Sequence, residues 1–467
     1  MKVTILVFLF ASSAAFSQTP GRYSDLYNQL DGKLSDIDTW LRVNWDGAPR
    51  SVAWGAELIT ANGNRGEDLL KPNALASVSL LLDRFSSMGL RGVKVSVTYP
   101  LLKPGFPRSA DYLAFYTAVA REVRQRNMKL HVQCTTVFPD TNWSRIGVDY
   151  SGLTMPQYRA DIRQHVESVL DAMQPDWLTI INEPMTQKMN TGLDFTVTTV
   201  TELVQSVLTG LDRGSTLIGA GTGSWDDPAY AQALAATSID FLDLHVYPIN
   251  TTLFIDRAAT FAGIARGAGK RLVISESWLF KVRDSEVGNS TINAATYYAR
   301  DVFDFWIPLD IHFVDAMARF AQYAHAEFCS FFWIRNFYAY LPYDDAKDAL
   351  PAAQLFALCD AEAGRNILGN TLSETGIAYK DLIARYTTEV HPVPSRDAGT
   401  RGDVFPNPVN GTLTLSNVRG EVVIHDMLGR IHWSGVADGR TSIDVSTFPR
   451  GVYAVRAANT LRRVAKL

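Results

Sequence analysis

Residues 176–184 read Asp176-Trp-Leu-Thr-Ile-Ile-Asn-Glu-Pro184. The apolar run Trp177–Ile181 predicts a buried strand, and Glu183 follows it as the chain turns into a loop. A second stretch, Arg271-Leu-Val-Ile-Ser-Glu-Ser-Trp278, places Glu276 at the end of another apolar run, 93 residues further on. Each stretch therefore sets a carboxylic acid at the C-terminal end of its own strand.

Short apolar strands alternate with longer amphipathic helices from about residue 51 to about residue 385. The predicted strands are Val52–Ala56, Gly92–Thr98, Lys129–Thr135, Trp177–Ile181, Thr216–Ala220, Phe241–Val246, Leu272–Ser275 and Phe328–Ile334. Eight strands alternating with helices over roughly 330 residues predict an α/β fold, the (β/α)₈ or TIM barrel, whose catalytic residues lie at the C-terminal strand ends. A doubly wound sheet would need a Gly-rich phosphate loop after its first strand, and the sequence has none.

Two segments add to this pattern. Residues 23–45 predict a helix or cap that precedes the barrel. Residues 291–323 are long for one crossover helix, so we expect an extra helix or a lid there.

The composition excludes several classes of protein. The chain has 467 residues and a net charge of −4, and it has no polybasic stripe, so we expect no nucleic-acid partner. Its three cysteines are too few and too scattered for a disulfide framework, and we expect buried free thiols. No Cys/His spacing indicates a metal site, so we expect neither a metal nor a cofactor.

The N-terminus has the pattern of a secretory signal peptide. Lys2 supplies the positive charge, Val3–Phe10 is an apolar run, and Ala15-Phe-Ser17 fits a small-x-small cleavage site. We therefore predict a signal peptide over residues 1–17, a mature chain that starts near Gln18, and no transmembrane segment after cleavage.

The composition changes after residue 386. Residues 391–402 form a polar linker that contains Pro and Gly, and they follow a barrel domain predicted over residues 18–390. Residues 403–467 consist of short alternating runs separated by turn signals. This pattern predicts a small all-β sandwich.

Three stretches of that module carry a resemblance. They are Phe405-Pro-Asn-Pro408, Val423-Ile-His-Asp-Met-Leu-Gly-Arg430 and Ile443-Asp-Val-Ser-Thr-Phe-Pro-Arg-Gly-Val-Tyr453. In order and spacing they resemble the C-terminal sorting domain of the type IX (Por) secretion system. The resemblance implies export across the outer membrane by that machinery, with the module removed or exchanged for a surface anchor. The protein would then be secreted or held at the cell surface.

Two carboxylates at strand ends are what glycosidic bond cleavage requires. One carboxylic acid protonates the leaving oxygen, while a second carboxylate attacks the anomeric carbon or activates water. The two need different surroundings because their roles require different proton affinities. Glu183 and Glu276 meet this need if they lie on separate strands of one barrel mouth.

The barrel region resembles the clan of retaining glycoside hydrolases built on (β/α)₈ barrels, which includes cellulase-like family 5 and galactanase-like family 53. The resemblance rests on Asn182-Glu183-Pro184, His245-Val-Tyr247, Glu276 and Trp333, each on the expected strand. It implies that Glu183 is the acid/base and Glu276 the nucleophile. It also implies that Tyr247 hydrogen-bonds the nucleophile, that Asn182 binds the sugar 2-hydroxyl and that Trp333 forms the floor under the cleaved sugar.

The second strand departs from the clan, which usually has an arginine beside the nucleophile. Lys94 stands there instead, and a lysine supplies the positive charge without a bidentate fork. Further candidates for substrate contact are Glu57, Trp225 and Trp278, which fall at or after strand ends.

Other interpretations of these residues stay open. Glu57 could instead cap a loop, and His245 could be a core histidine. Glu276 could be a structural carboxylate paired with Lys281 or Arg283. Asp140, Asp226 and Asp227 are expected to be solvated loop carboxylates, with at most one in a subsite.

The favoured function is a secreted, monomeric, retaining glycoside hydrolase that cleaves β-linked polysaccharide, acting as an endo-β-glycanase. Glucan, mannan, galactan and xylan all remain open as its substrate. The alternative is a catalytically inactive barrel that binds glycans at the cell surface, which the departure at Lys94 favours. A metal-dependent barrel hydrolase would need His and Asp clusters at strand ends, and the sequence lacks them.

Overall fold

The chain folds into two compact units, one ending at His391 and the other beginning at Pro392. The computed structural model describes residues 19–140, 143–247, 253–283, 285–286, 294–389, 403–405, 409–426, 430–457 and 460–466. The predicted signal peptide (1–17) and linker (391–402) lie outside the described residues and stay predictions.

The first unit is a closed barrel of eight parallel strands arranged in sequence order, with the first strand paired to the eighth. The strands are β1 (Ala53–Glu57), β2 (Gly92–Tyr99), β3 (Lys129–Thr136), β4 (Trp177–Thr179), β5 (Leu217–Gly223), β6 (Phe241–Val246), β7 (Arg271–Ser277) and β8 (Ala326–Phe331). The prediction of a (β/α)₈ barrel is confirmed.

Helices surround the barrel. They are α1 (Ser24–Asn44), α2 (Ala74–Met88), α3 (Ser109–Gln125), α4 (Met155–Met173), α5 (Pro184–Thr191), α6 (Val197–Leu208), α7 (Pro228–Ala235), α8 (Leu253–Gly267), α9 (Ala294–Ala299), α10 (Ile307–Ala324), α11 (Asp345–Asp348), α12 (Ala352–Gly369) and α13 (Glu374–Glu389). Helix α1 precedes the barrel as predicted and packs against α10. The predicted extra helix in 291–323 is α9. Within the described residues, no helix is long and apolar enough to cross a membrane.

Helix α1 shows why these segments pack on the barrel. Its buried apolar residues recur three or four positions apart and so form one stripe: Leu26, Leu30, Leu34, Ile37 and Leu41. Helix α4 begins with a capping interaction, in which the Thr154 backbone N–H donates to Gln157 Oε1 at 3.0 Å.

The barrel interior changes from apolar to polar along its axis. An apolar layer closes the N-terminal end, built from Trp177, Phe241, Val273 and Phe328. Because strand side chains alternate between faces, the next inward positions after Trp177 and Phe241 are Thr179 and Asp243. The interior above the apolar layer is therefore polar, and it leads to the C-terminal mouth.

Glycines on β5 leave space for residues of the neighbouring strand β6. A Cβ atom on Gly219 would lie 2.3 Å from the Phe241 ring, and one on Gly221 would lie 1.8 Å from the carbonyl oxygen of Asp243. These contacts are shorter than van der Waals packing allows. The glycine at every second position of β5 therefore lets Phe241 and Asp243 enter the barrel.

The three cysteines, Cys134, Cys329 and Cys359, are buried free thiols, as predicted. Burial raises the pKa of each thiol, so none is activated as a thiolate.

The second unit is all-β, as predicted. Its antiparallel sheet has the order β11-β10-β12-β13, with β9 added on β10. The strands are β9 (Asp403–Phe405), β10 (Thr412–Asp426), β11 (Ile431–Asp444), β12 (Gly451–Ala457) and β13 (Thr460–Lys466). The short predicted runs merge into β10 and β11 because pairing of the two strands continues past Gly420 and Gly439, whose φ values are 103° and 83°.

Candidate active site

Glu183 lies where β4 passes into α5, in a strained backbone conformation. Pairing with β5 continues past β4, since the Gly221 N–H donates to the Ile181 carbonyl at 2.9 Å. Glu183 then adopts φ 49° and ψ 67°, and Pro184 begins α5. A non-glycine residue in this left-handed region carries strain of about 1 to 3 kcal/mol, and such strain clusters at functional sites. The turn carries the carboxyl to the barrel mouth.

Asn182, the residue before Glu183, has a buried side-chain amide whose nitrogen is unpaired within the described residues. Its side chain is fully buried, and its Oδ1 accepts from the Glu183 backbone N–H at 2.8 Å. Within the described part of the chain, Nδ2 has no hydrogen-bond partner. A buried donor without a partner costs free energy, so this amide is poised to bind a ligand oxygen.

Glu276, near the end of β7, is held by two donors. The Tyr247 hydroxyl donates to Oε1 at 2.8 Å, and the Lys94 ammonium donates to Oε2. Burial alone would raise the pKa of the Glu276 carboxyl, but Lys94, His245 and the Tyr247 hydrogen bond outweigh it and hold the pKa below its ordinary value. Its partner cation is Lys94, whereas Lys281 pairs with Asp301 and Asp310.

Lys94 also pairs with Glu57, the last residue of β1. The Nζ atom lies 3.2 Å from Glu57 Oε2, and both side chains are almost fully buried. Glu57 Oε1 accepts from Ser96 and Asn62, so its carboxylate is directed into the protein. Burial lowers the pKa of Lys94, but Glu276 and Glu57 outweigh that and raise it. Lys94 therefore stays charged and lies between the carboxylates of Glu57 and Glu276.

Replacing Lys94 with methionine should strongly destabilise the first unit. Lys94→Met leaves Glu57 and Glu276 buried without a counter-ion, and breaking such a pair costs about 3 to 5 kcal/mol. Denaturant unfolding of the variant and parent measures the loss. Lys103→Met is the matched control, because Lys103 is 41% exposed and its pair with Asp161 contributes about 0 to 1 kcal/mol. Equal losses in the two variants would contradict a buried ion pair.

His245 on β6 lies between the two glutamates. Its Nδ1 is 2.5 Å from Glu183 Oε1 and 3.9 Å from Glu276 Oε2, and its Nε2 is 3.0 Å from Ser275 Oγ. Burial lowers the pKa of His245, but the nearby Glu276 and Glu183 carboxylates outweigh it and raise it. A bulge between β6 and β7 brings His245 level with Glu276. The histidine is therefore buried and also part of the carboxylate cluster.

The structure brings together three side chains that the sequence separates widely. Single oxygen or nitrogen atoms of Glu183, His245 and Glu276 all lie within 4.8 Å of one another. A histidine and two carboxylates could in principle coordinate a cation. Because the Lys94 ammonium already occupies the cation position against Glu276, we assign no metal to the group.

Aromatic side chains form one wall of the site. Trp333 follows β8, and Tyr298 packs on it with ring centroids 5.9 Å apart. The Arg335 guanidinium lies 4.4 Å from the centre of the Trp333 ring and covers one of its faces. Trp225 contacts Tyr247, with the two rings 5.8 Å apart. Trp333 and Trp225 are half-buried, and Trp225 contacts the same Tyr247 that donates to Glu276.

Trp278, unlike Trp333 and Trp225, is almost completely buried. It is 1% exposed, and its Nε1 donates to Asp301 at 2.8 Å. Its ring packs on Phe313, Phe331 and Phe337. Trp278 therefore belongs to the core behind the wall, and direct contact with a ligand is not expected.

Asp226 is buried, so the expectation that it is a solvated carboxylate is wrong. It is 2% exposed because the loop after β5 folds inward, where its Oδ2 accepts from the Gly223 backbone N–H at 2.8 Å. Burial, together with the Glu183 charge, raises the pKa of Asp226 to about 7. Asp226 is therefore a third carboxyl group close to Glu183, which the sequence pattern did not distinguish from its neighbour Asp227.

Asp226→Asn should make the stability of the protein less dependent on pH. Because the folded-state pKa of Asp226 lies above its ordinary 3.8, the folded state binds this proton more tightly than the unfolded chain. That stabilisation is complete below about pH 4 and is lost as the pH rises through 7, by up to roughly 4 kcal/mol. Measured at pH 5, 6, 7 and 8, the unfolding midpoint of the variant should rise relative to that of the parent as the pH increases. Parallel curves for parent and variant would contradict the assignment.

A set of buried polar residues was missed from the sequence. His131, Thr179, Asp243 and Ser275 line the interior below His245. Asp243 and His245 stand two positions apart on β6, which places both on the inward face. That alternation was the available signal, but it was obscured because strands buried on both faces are apolar at most other positions.

Residues 403–466 match the family model of a secretion system C-terminal sorting domain. The matched range spans β9 to β13 of the second unit. The sorting-domain resemblance drawn from the sequence is confirmed.

The barrel is similar to solved glycoside hydrolase structures at low identity. An exo-β-1,4-mannosidase, Op5Man5 from Opitutaceae bacterium strain TAV5, is 15% identical, with 74% of this chain and 61% of that chain covered and a TM-score of 0.42. GH5_18 from Bifidobacterium longum subsp. longum ATCC 55813 is 13% identical, with 72% and 80% covered and a TM-score of 0.45. A GH30 endoxylanase from Clostridium papyrosolvens C71 is 10% identical, with 85% and 95% covered and a TM-score of 0.39.

This chain thus spans about three fifths of the length of the Opitutaceae mannosidase. No curated protein matches the chain. At these TM-scores, any function must be supported by the geometry of the side chains.

Proposed function

We propose that the protein is an exported retaining glycoside hydrolase that cleaves β-glycosidic bonds by double displacement. The observation that carries the proposal is the separation of the two carboxylates, which brings an oxygen of Glu183 within 4.8 Å of one of Glu276. Retaining enzymes hold their carboxyl groups about 5 to 5.5 Å apart, whereas inverting enzymes need about 6.5 to 9.5 Å to admit water.

In the first step, Glu276 attacks the anomeric carbon while Glu183 protonates the leaving oxygen. The Lys94 ammonium and the Tyr247 hydroxyl keep Glu276 ionised, as a nucleophile requires. The free Nδ2 of Asn182 donates to the sugar 2-hydroxyl, a bond that strengthens in the transition state. The products are a glycosyl–Glu276 ester and a free alcohol.

In the second step, Glu183 acts as the base. It removes a proton from water, whose oxygen attacks the anomeric carbon, and the Glu276 carboxylate leaves. As the ester breaks, negative charge returns to Glu276, where Lys94 and Tyr247 stabilise it. Lys94 thereby supplies the charge that the clan takes from an arginine, which favours an active enzyme over the inactive glycan-binding alternative.

The test is the stereochemistry of the first product. Aryl β-glycosides and polysaccharides, covering glucan, mannan, galactan and xylan, are incubated with the full chain and followed by ¹H NMR. We expect one class to be cleaved, with the β-anomer formed first. An α-anomer formed first would contradict double displacement, and binding without turnover across the panel would favour the inactive barrel.

The polymer reactions also test the proposed endo mode. We expect viscosity to fall before free monosaccharide appears, whereas early release of monosaccharide alone would indicate exo action. The sorting domain over residues 403–466 supports action outside the cell on a substrate too large to enter.

A further inference from the structure

Two histidines inside the barrel connect to one carboxylate oxygen through hydroxyl groups. Ser275 Oγ lies 3.0 Å from His245 Nε2 and 2.8 Å from Asp243 Oδ2. Thr179 Oγ1 lies 2.9 Å from His131 Nε2 and 2.7 Å from the same oxygen of Asp243. The two branches meet at Asp243, which is buried.

The direction of each hydrogen bond follows from Asp243. Burial would raise the pKa of its carboxyl, but His131, His245 and the two hydroxyl donors outweigh it and hold the pKa below its ordinary value. An ionised carboxylate only accepts, so Ser275 and Thr179 must donate their single protons to it. Their oxygens can then only accept from the histidines, and His245 must carry a proton on Nε2.

This assignment fixes what His245 presents to Glu183. With Nε2 protonated, the neutral ring offers a lone pair at Nδ1, which lies 2.5 Å from Glu183 Oε1. Two acceptors at that distance need one proton between them. The proton lies either on Glu183, giving a neutral acid and a neutral ring, or on Nδ1, giving a carboxylate and an imidazolium.

We propose that Asp243, acting through Ser275, is a positioning residue that fixes the tautomer of His245 and makes His245 and Glu183 a pair that holds one transferable proton. Resting on the proposed function, the pair retains at the barrel mouth the proton that the leaving oxygen takes in the first step. The opposite tautomer would place a permanent N–H against Glu183 and hold it as a carboxylate, unable to act as an acid.

Six charged or titratable groups act on the His245 ring, from its own strand and from the strands and loops around it. They are Glu183, Glu276, Lys94, Asp226, Asp243 and His131. Because several of them titrate or shift with pH, the tautomer itself is the cleaner readout, and the pH profile is secondary.

Asp243→Asn should reverse the tautomer. Asp243 Oδ1 accepts from the Ser275 backbone N–H at 3.2 Å, so the amide oxygen of the variant takes that side. The amide NH₂ then faces both hydroxyls and donates to them, and Ser275 turns its proton onto His245 Nε2. His245 must in turn carry its proton on Nδ1, against Glu183.

The direct measurement is ¹⁵N NMR of the full chain labelled in histidine, with the His245 signals assigned by their loss in His245→Gln. We expect Nε2 to be protonated in the parent and unprotonated in Asp243→Asn, where the ring proton lies on Nδ1. Thr179→Val, which breaks only the His131 branch, should keep the parent tautomer at His245. An unchanged tautomer in Asp243→Asn would overturn the proposal. The tautomer is measured without turnover. The experiment therefore distinguishes failure of the proposed role of Asp243 from failure of the proposed function.

Kinetics provide the second readout. In Asp243→Asn, hydrolysis of glycosides with poor leaving groups should fall about 10² to 10³-fold, while dinitrophenyl glycosides, which need no acid, should react within a few-fold of the parent. Ser275→Ala should show the same dependence on the leaving group, and it serves if Asp243→Asn does not fold. Equal losses for both kinds of substrate would indicate a merely structural role and overturn the proposal.

Discussion

Glu276→Ala should abolish hydrolysis of β-glycosides, by on the order of 10⁴ to 10⁶-fold, because the covalent intermediate can no longer form. The fold should survive the change. When Glu276 is removed, Lys94 keeps its buried contact with the Glu57 carboxyl group. The space that it leaves adjoins the Lys94 ammonium and the Tyr247 hydroxyl, which together would bind a small anion.

Azide should therefore restore turnover of an activated aryl glycoside and give an α-glycosyl azide, since it attacks from the side that Glu276 occupied. The measurement is the initial rate with and without azide, with the product identified by NMR. Glu327→Ala is the control, because Glu327 on β8 forms a partly exposed ion pair with Arg271 and should be dispensable. Hydrolysis by Glu276→Ala near the parent rate would exclude Glu276 as the nucleophile.

The strand-end carboxylates were predictable because they depend on local pattern. Apolar runs of four to seven residues locate the barrel strands, and the C-terminal ends of parallel strands meet at one mouth. Glu183 and Glu276 follow directly from those two facts. The β-module was equally accessible, since its turn signals and alternation are local.

The partners of these carboxylates were not predictable because they depend on barrel closure. Lys94 and Glu57 lie on β2 and β1, and their charges meet Glu276 of β7 only across the closed interior. Local pattern placed Glu57 at a strand end, where it could contact a substrate or cap a loop. The structure instead buries its carboxylate against Lys94, a pairing that depends on the neighbouring strand.

Backbone irregularities decide the remaining contacts. The bulge between β6 and β7 aligns His245 with Glu276, and the inward loop after β5 buries Asp226. Neither has a signal in composition or periodicity. The Asp243–Ser275 connection depends on the same register, so the tautomer of His245 could be inferred only from the folded barrel.

Glu183→Ala should give a different loss from that of Glu276→Ala, because an acid matters only when the leaving group needs a proton. Substrates with poor leaving groups should lose about 10² to 10⁴-fold in kcat/KM, whereas dinitrophenyl glycosides should still form the glycosyl enzyme rapidly. Turnover of the dinitrophenyl glycosides should then stop at the second step, because the variant lacks Glu183 as the base. Burst kinetics measure this, with Glu202→Ala, a change in the exposed Arg159–Glu202 pair, as the control.

Azide distinguishes the roles of the two glutamates. In Glu183→Ala it should attack the glycosyl enzyme from the face that Glu183 serves and give a β-glycosyl azide, the opposite anomer from that of Glu276→Ala. The anomer depends only on which carboxylate remains, so the pair of variants assigns both roles without reference to rate. The same anomer from both variants, or equal losses for all leaving groups in Glu183→Ala, would show that Glu183 is not the acid/base.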